Sequence, residues 1–136
     1  MRRRPFDQSA LYWSGRALVY VGDAEAARSA LLRALRSLRM TIYEPFIFAG
    51  LAQASLQLED DLSAIRYAKE AIRLRANNIA AWRSLAAAHA HLGETDKARS
   101  SVDKLLTLIP DVSVSTIWHT ARYPDVPGLN RYRDGL

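Results

Sequence analysis

Apolar residues recur along this chain at intervals of three and four. Leu31, Leu35 and Leu38 fall on one helical face, as do Ile65, Ala68 and Ile72, with Leu74 less strictly in line. Each set builds the apolar stripe of an amphipathic helix. Farther on, Val114, Ile117, Trp118 and Ala121 share a face. After Tyr123-Pro124, Asp125 is placed to cap a short last helix carrying Leu129, Tyr132 and Leu136. Asp7, Asp23, Asn78 and Thr95 are each suited to N-cap a following helix, because their side-chain oxygens can accept from an orphan backbone N–H. The acidic run Glu59-Asp60-Asp61 reads as a turn and a helix start, where negative charge suits the positive end of the dipole. The pattern predicts an all-α chain.

A longer period lies over the short one. Phe48, Leu51, Ala52, Ser55, Ala64, Ala68 and Ala71 have counterparts 34 residues on, at Trp82, Leu85, Ala86, His89, Ala98, Val102 and Leu105. An earlier, more degenerate copy aligns through its turn Gly22-Asp23 with Gly93-Glu94, which sets Leu11, Ser14-Gly15, Leu18, Ala27, Leu31 and Ala34 at the matching places. Its offset from the next copy is 37, so about three residues are inserted around Met40–Tyr43 and a longer loop is expected there. The spacing matches the tetratricopeptide repeat (TPR) pattern, with Trp82, Leu85, Gly93-Glu94, Ala98 and a closing Pro110 in the best copy. That copy departs from the pattern at Ala86, where glycine is usual, and at His89, where tyrosine is usual.

The expected fold is a TPR helical-hairpin solenoid of three antiparallel helix pairs, with repeats at about 8–41, 45–78 and 79–112 and a helical closure over 113–136, in a single domain. Ala52, Ala64, Ala71, Ala86 and Ala98 let helix backbones approach closely. One hairpin cannot bury its own apolar face, so three stacked copies are needed, and the closure, with Trp118 packed beneath it, is the lid for the terminal apolar surface.

The stretches GLAQASLQLEDDLSAIRYAKEAIRL, NNIAAWRSLAAAHAHLGETDKARSSVDKLLTLIP and YPDVPGLNRYRDGL resemble the C-terminal TPR region of bacterial class III adenylate/guanylate cyclase-like multidomain regulators, over about residues 45 to 136. That resemblance implies a regulatory or scaffolding role beside an effector domain. Catalysis is not carried over, because repeats fill the chain and no metal-binding carboxylate pair sits on a recognisable strand. The chain reads either as part of a longer protein or as a free-standing relative.

Composition narrows this further. With 49% hydrophobic and 24% charged residues, neither a disordered nor a collagen-like chain fits. The lack of cysteine removes disulfide frameworks, thiolate zinc sites and cysteine nucleophiles, and fits a reducing, cytoplasmic setting. No apolar run reaches the roughly 20 residues of a membrane span. The net charge of +5 belongs to residues 1–40, where eight arginines face only Asp7, Asp23 and Glu25; from residue 41 onward the signs balance. The excess describes one end of the stack.

The chemistry points to a non-catalytic protein-interaction module without cofactor or metal. A TPR array binds an extended peptide or helix along the first helices of its hairpins, and the lining expected here is Tyr12, Arg16, Val19, Ala49, Gln53, Leu56, Arg83, Ala87 and Ala90. Arg16 and Arg83 are its only cations and no asparagine pair accompanies them, which disfavours the carboxylate clamp of TPR proteins that hold a peptide's C-terminus. The alternative is a nucleic-acid-binding accessory domain using Arg28, Arg36 and Arg39, broadly on one face, with Arg2–Arg4 in the N-terminal stretch. His89 and His91 are two apart and point in different directions, so they cannot share a metal; His119 stands alone. The partner is a protein or peptide, and self-association through an uncapped apolar end around Leu11, Trp13 and Leu18 is a further expectation.

Overall fold

The computed structural model describes residues 5–109, with side chains from Ser9 onward. Six helices run in chain order: α1 (Pro5–Val21), α2 (Ala24–Leu38), α3 (Glu44–Gln57), α4 (Asp61–Leu74), α5 (Ile79–His91) and α6 (Thr95–Leu108). No strand occurs among the described residues. The closure expected over 113–136, with Pro110, Trp118 and His119, lies outside them.

Side-chain caps set several of the starts. Asp23 accepts from the Ala26 N–H at 3.4 Å, Asp60 from Ser63 at 3.2 Å and Asn78 from Ala81 at 3.2 Å, each satisfying one orphan donor of a first turn. Two expected caps are corrected. Thr95 is the first residue of α6, and the cap position belongs to Glu94, which makes no side-chain cap bond. Asp7 lies inside α1, which begins at Pro5, a residue pre-set for the first helical position.

The helices form three antiparallel pairs, and their turns are built alike. In the second pair the Leu58, Glu59 and Asp60 N–H groups donate to the carbonyls of Ala54, Leu56 and Ser55. In the third, Leu92, Gly93 and Glu94 donate to Ala88, Ala90 and His89, each bond displaced by 34 residues. In the first, Gly22 and Asp23 donate to Val19 and Leu18, displaced by 37 from their counterparts. The left-handed position of each turn is Gly22 (φ 85°), Glu59 (φ 61°) and Gly93 (φ 76°).

The link between the first two pairs differs from the expected long loop. Residues 39–43 make it only one residue longer than 75–78; α2 is one residue longer than α4, and α3 one longer than α5, so the extra residues are shared between helix and loop. Glu44 pins this link: its carboxylate accepts from the Met40 N–H and lies 3.7 Å from the Arg39 guanidinium.

The pairs stack so that α1 packs on α3 and α3 on α5, while α2 joins α1 to α3 and α4 joins α3 to α5. Leu31 of α2 is the knob of the first junction. It is fully buried, and a Cβ added at Gly15 of α1 would stand 2.7 Å from its Cγ, one at Gly50 of α3 3.0 Å from its Cδ1. Without side chains at those two positions, both odd helices close on one leucine. Ala52, Ala64, Ala71 and Ala86 are also fully buried at helix contacts, whereas Ala98 of α6 is half-buried. Polar ties run along the stack: Gln57 Nε2 donates to the Val19 carbonyl at 3.1 Å and Asn78 Nδ2 to the Pro45 carbonyl at 3.2 Å. No described helix is long and apolar enough to cross a membrane.

Candidate functional site

The nine candidate groove residues come from the three odd helices, at spacings of three and four that keep each trio on one face. On α1, Arg16 is held between two phenols one turn away on either side. Its Nη1 donates to Tyr12 Oη at 2.8 Å and its Nη2 to Tyr20 Oη at 3.3 Å, with the guanidinium 5.8 and 5.7 Å from the two ring centroids. Burial pulls its pKa down, but Tyr12, with Tyr20, outweighs that and holds it above the ordinary arginine value. Arg16 is therefore a fixed cation backed by aromatic faces.

The remaining lining is more enclosed than an open groove would be. Tyr12, Val19, Ala49, Gln53, Leu56 and Ala87 are buried; Arg16, Arg83 and Ala90 are half-buried. Leu56 and Ala87 share an apolar cluster with Ala64 and Ala88, and Arg16 Cδ lies 3.8 Å from where a Gly50 Cβ would stand. The α1–α3 and α3–α5 contacts bring these trios side by side.

Arg28 is half-buried on α2, and Arg36 and Arg39 are exposed. Arg39, with Arg73 and Arg75, rims a cleft of about 660 Å³ between the 39–45 and 73–75 segments. Each of these three already has a local counterpart, Glu44 for Arg39, Glu70 for Arg73 and the Phe46 ring, 5.4 Å away, for Arg75. Arg2–Arg4 lie outside the described residues.

The histidines answer to separate carboxylates. His89 is buried with Nδ1 3.1 Å from Glu94 Oε1, and His91 Nδ1 lies 3.4 Å from Asp61 Oδ1, where the end of α5 meets the start of α4. The hydrogen bond with His89, and then that from Lys97, hold the Glu94 carboxyl below the ordinary carboxylate range. Among the described residues no three His, Cys, Asp or Glu side chains gather as metal ligands.

Two features were not singled out from sequence. Tyr12, Trp13, Arg16, Ile42, Tyr43 and Phe46 wall an aromatic cleft of about 430 Å³, with Trp13 59% exposed and the Tyr12 ring 4.9 Å from Trp13 and 5.3 Å from Tyr43. The Tyr12–Arg16–Tyr20 spacing of four was a readable signal, but the union with residues 42–46 needs the α1–α3 contact. At the other end, Ala86, Ala90, Thr95, Ala98, Arg99, Val102 and Asp103 line a cleft of about 360 Å³ against α5 and α6.

No protein-family model matches this chain, and no curated protein is similar to it. The functional reading therefore rests on its own residues and geometry.

Proposed function

We propose that the chain is a TPR-type array of three helical hairpins that works as a non-catalytic protein-interaction module or scaffold, of the kind that stands beside an effector domain in a signalling-type regulator. The observation that carries this reading is the recurrence of one turn at spacings of 37 and 34 residues, with the same hydrogen bonds and a left-handed residue at the same place each time. Four of the seven aligned pairs agree in burial, Leu51 with Leu85, Ala52 with Ala86, Ser55 with His89 and Ala71 with Leu105, whereas Phe48, Ala64 and Ala68 are buried and their counterparts Trp82, Ala98 and Val102 half-buried. Side-by-side odd helices make a face suited to an extended peptide or a helix. On that face Arg16, Gln53 and Arg83 are the polar groups able to orient a ligand among small apolar neighbours.

Peptide selection from a random library against the full chain tests this. Peptides selected by the native chain are expected to bind at least tenfold more weakly to the Arg16→Ala, Gln53→Ala, Arg83→Ala triple variant. Undiminished binding by a variant that retains its helical circular dichroism would remove the odd-helix face as the site.

A further inference from the structure

Two clefts of the first and second hairpins meet at one side chain. Ile42 lines both the aromatic cleft against α1 and the larger cleft rimmed by Arg39, Arg73 and Arg75, and it is 80% exposed. Met40 on the second cleft and Trp13 on the first are exposed as well. Single exposed apolar residues are ordinary on any surface, whereas several sharing adjoining clefts mark an interaction site. The hollow between them is formed in advance. Tyr12 meets Trp13 edge-on and tilts against Tyr43, an arrangement that fixes ring positions before a ligand arrives and spares the cost of ordering them.

Charge decides what the hollow accepts. Four arginines stand on the two clefts, Arg16 on the first and Arg39, Arg73 and Arg75 on the second. Glu44 is committed to Arg39 and the Met40 N–H, and Glu70 to Arg73. Arg16 and Arg75 have no carboxylate partner among the described residues. Both are held against rings instead, Arg16 between Tyr12 and Tyr20 and Arg75 on Phe46, which is itself a wall of the aromatic cleft. After its bonds to the two phenols Arg16 keeps one N–H on each terminal nitrogen, donors suited to a carboxylate. The cleft at the other end of the stack lacks this bias, since its Arg99 is accompanied by Asp103. We infer that the surface from Trp13 through Ile42 to Arg75 binds an acidic peptide segment, in which a large apolar residue fills the aromatic hollow and carboxylates to either side meet Arg16 and Arg75. An anionic bilayer would touch the exposed Trp13, Met40 and Ile42, but a flat surface does not enter a cleft to reach half-buried Arg16; a single peptide side chain does.

The inference rests on the interaction reading in taking a peptide as the ligand, but it differs in place: Ile42 and Arg75 belong to the links between hairpins and not to an odd helix. Random peptides displayed on phage and selected on the full chain should return sequences in which Asp or Glu flanks a Leu, Ile, Phe or Trp. A recovered peptide, made with an amidated C-terminus and a fluorescein label, should bind the Ile42→Ser, Arg75→Gln variant at least about tenfold more weakly by fluorescence anisotropy. Both positions are exposed, so the helical circular dichroism should stay native. Binding should also weaken as salt is raised. The Gln53→Ala, Arg83→Ala variant reads the odd-helix face separately. Loss in the Ile42, Arg75 pair alone supports the inference and withdraws that face; loss in the Gln53, Arg83 pair alone keeps that face and overturns the inference; loss in both supports both. Three further results would overturn it: selected peptides without an acidic bias, binding to phosphatidylserine vesicles but to no peptide, and a doubling of mass with concentration that Ile42→Ser abolishes, which assigns the surface to a second copy.

Discussion

The odd and even helices of this chain are built to different rules although they alternate in one stack. Helix α4 buries Asp61, Ala64, Ala68 and Ala71 and leaves Leu62 and Lys69 in solvent, a single stripe at spacings of three and four. Helix α3 buries every side over three turns and carries Gln53, Ser55 and Gln57 as its only polar residues from Pro45 onward. An even helix such as α4 is a cover with one working face; α3, the central odd helix, is interior, while α1 at the end of the stack leaves Trp13, Ala17 and Val21 exposed. The difference teaches where each layer's stability resides. An even helix contributes through a few side chains on its stripe, so its changes should be either large or negligible according to position, whereas α3 has no outward position between Ile47 and Gln57 on which a change is free.

Leu31 gives the sharpest version of that rule. It sits on an even helix, yet Gly15 and Gly50 of two odd helices both close on it. Leu31→Ala should cost about 2–5 kcal/mol, the range for a leucine removed from a tightly packed site, and lower the melting temperature by roughly 10 °C or more. Leu62→Ala, on the outward side of the even helix α4 and 69% exposed, should stay within about 0.5 kcal/mol of the native chain. Thermal melts of the two variants side by side test the comparison; similar losses would mean that the even layer is not organised around one stripe.

The passage from odd to even helix inside each pair offers a smaller contrast. Glu59 and Gly93 occupy the same left-handed position of two equivalent turns. An L-residue there costs roughly 1–2 kcal/mol, which glycine avoids, and part of the gain is returned through glycine's greater freedom when unfolded. Glu59→Gly is expected to stabilise the chain by under about 1 kcal/mol, and Gly93→Ala to destabilise it by about 1 kcal/mol. Urea midpoints moving in the same direction for both would show that the two turns are not equivalent.

How much of this was legible in the sequence follows from the same physics. Helical periods and the turns at Gly22-Asp23 and Gly93-Glu94 pointed to paired helices, and the caps Asp23 and Asn78 stand where their chemistry placed them. Thr95 did not, because the hydrogen bond from the Glu94 N–H to the His89 carbonyl fixes the start of α6 one residue earlier than the better capping side chain would. The 37-residue offset announced extra residues but not their distribution, since a helix can absorb a residue as readily as a loop can. The groove residues were placed on the odd helices by spacing alone. Spacing left their burial open: periodicity tells which residues share a face and not what packs against it. The apolar run Ile47–Ala52 was a warning, since a helix apolar all round is an interior one.

The smallest effect concerns the polar tie that joins the end of odd helix α5 to the start of even helix α6. Glu94 accepts from the buried His89 ring and from Lys97, and these bonds, that with His89 foremost, hold its carboxyl below the ordinary value of 4.5. A carboxyl lowered in the folded state stabilises that state fully above its unfolded value, and the contribution is lost as the pH falls through the lower folded one. The native chain should therefore exceed Glu94→Gln in melting temperature by a constant margin near neutral pH. That margin should shrink once the pH drops below about 4.5 and vanish at still lower pH, because the protonated carboxyl and the amide are then alike in charge. Replacing Glu70, as exposed as Glu94 but hydrogen-bonded to Arg73 one turn along the same helix α4, should give a smaller margin throughout, as expected of a pair that ties no two helices together. Equal margins for the two glutamates at neutral pH would place the odd-to-even junction among the ordinary surface pairs and leave the packing at Leu31 as what distinguishes the layers.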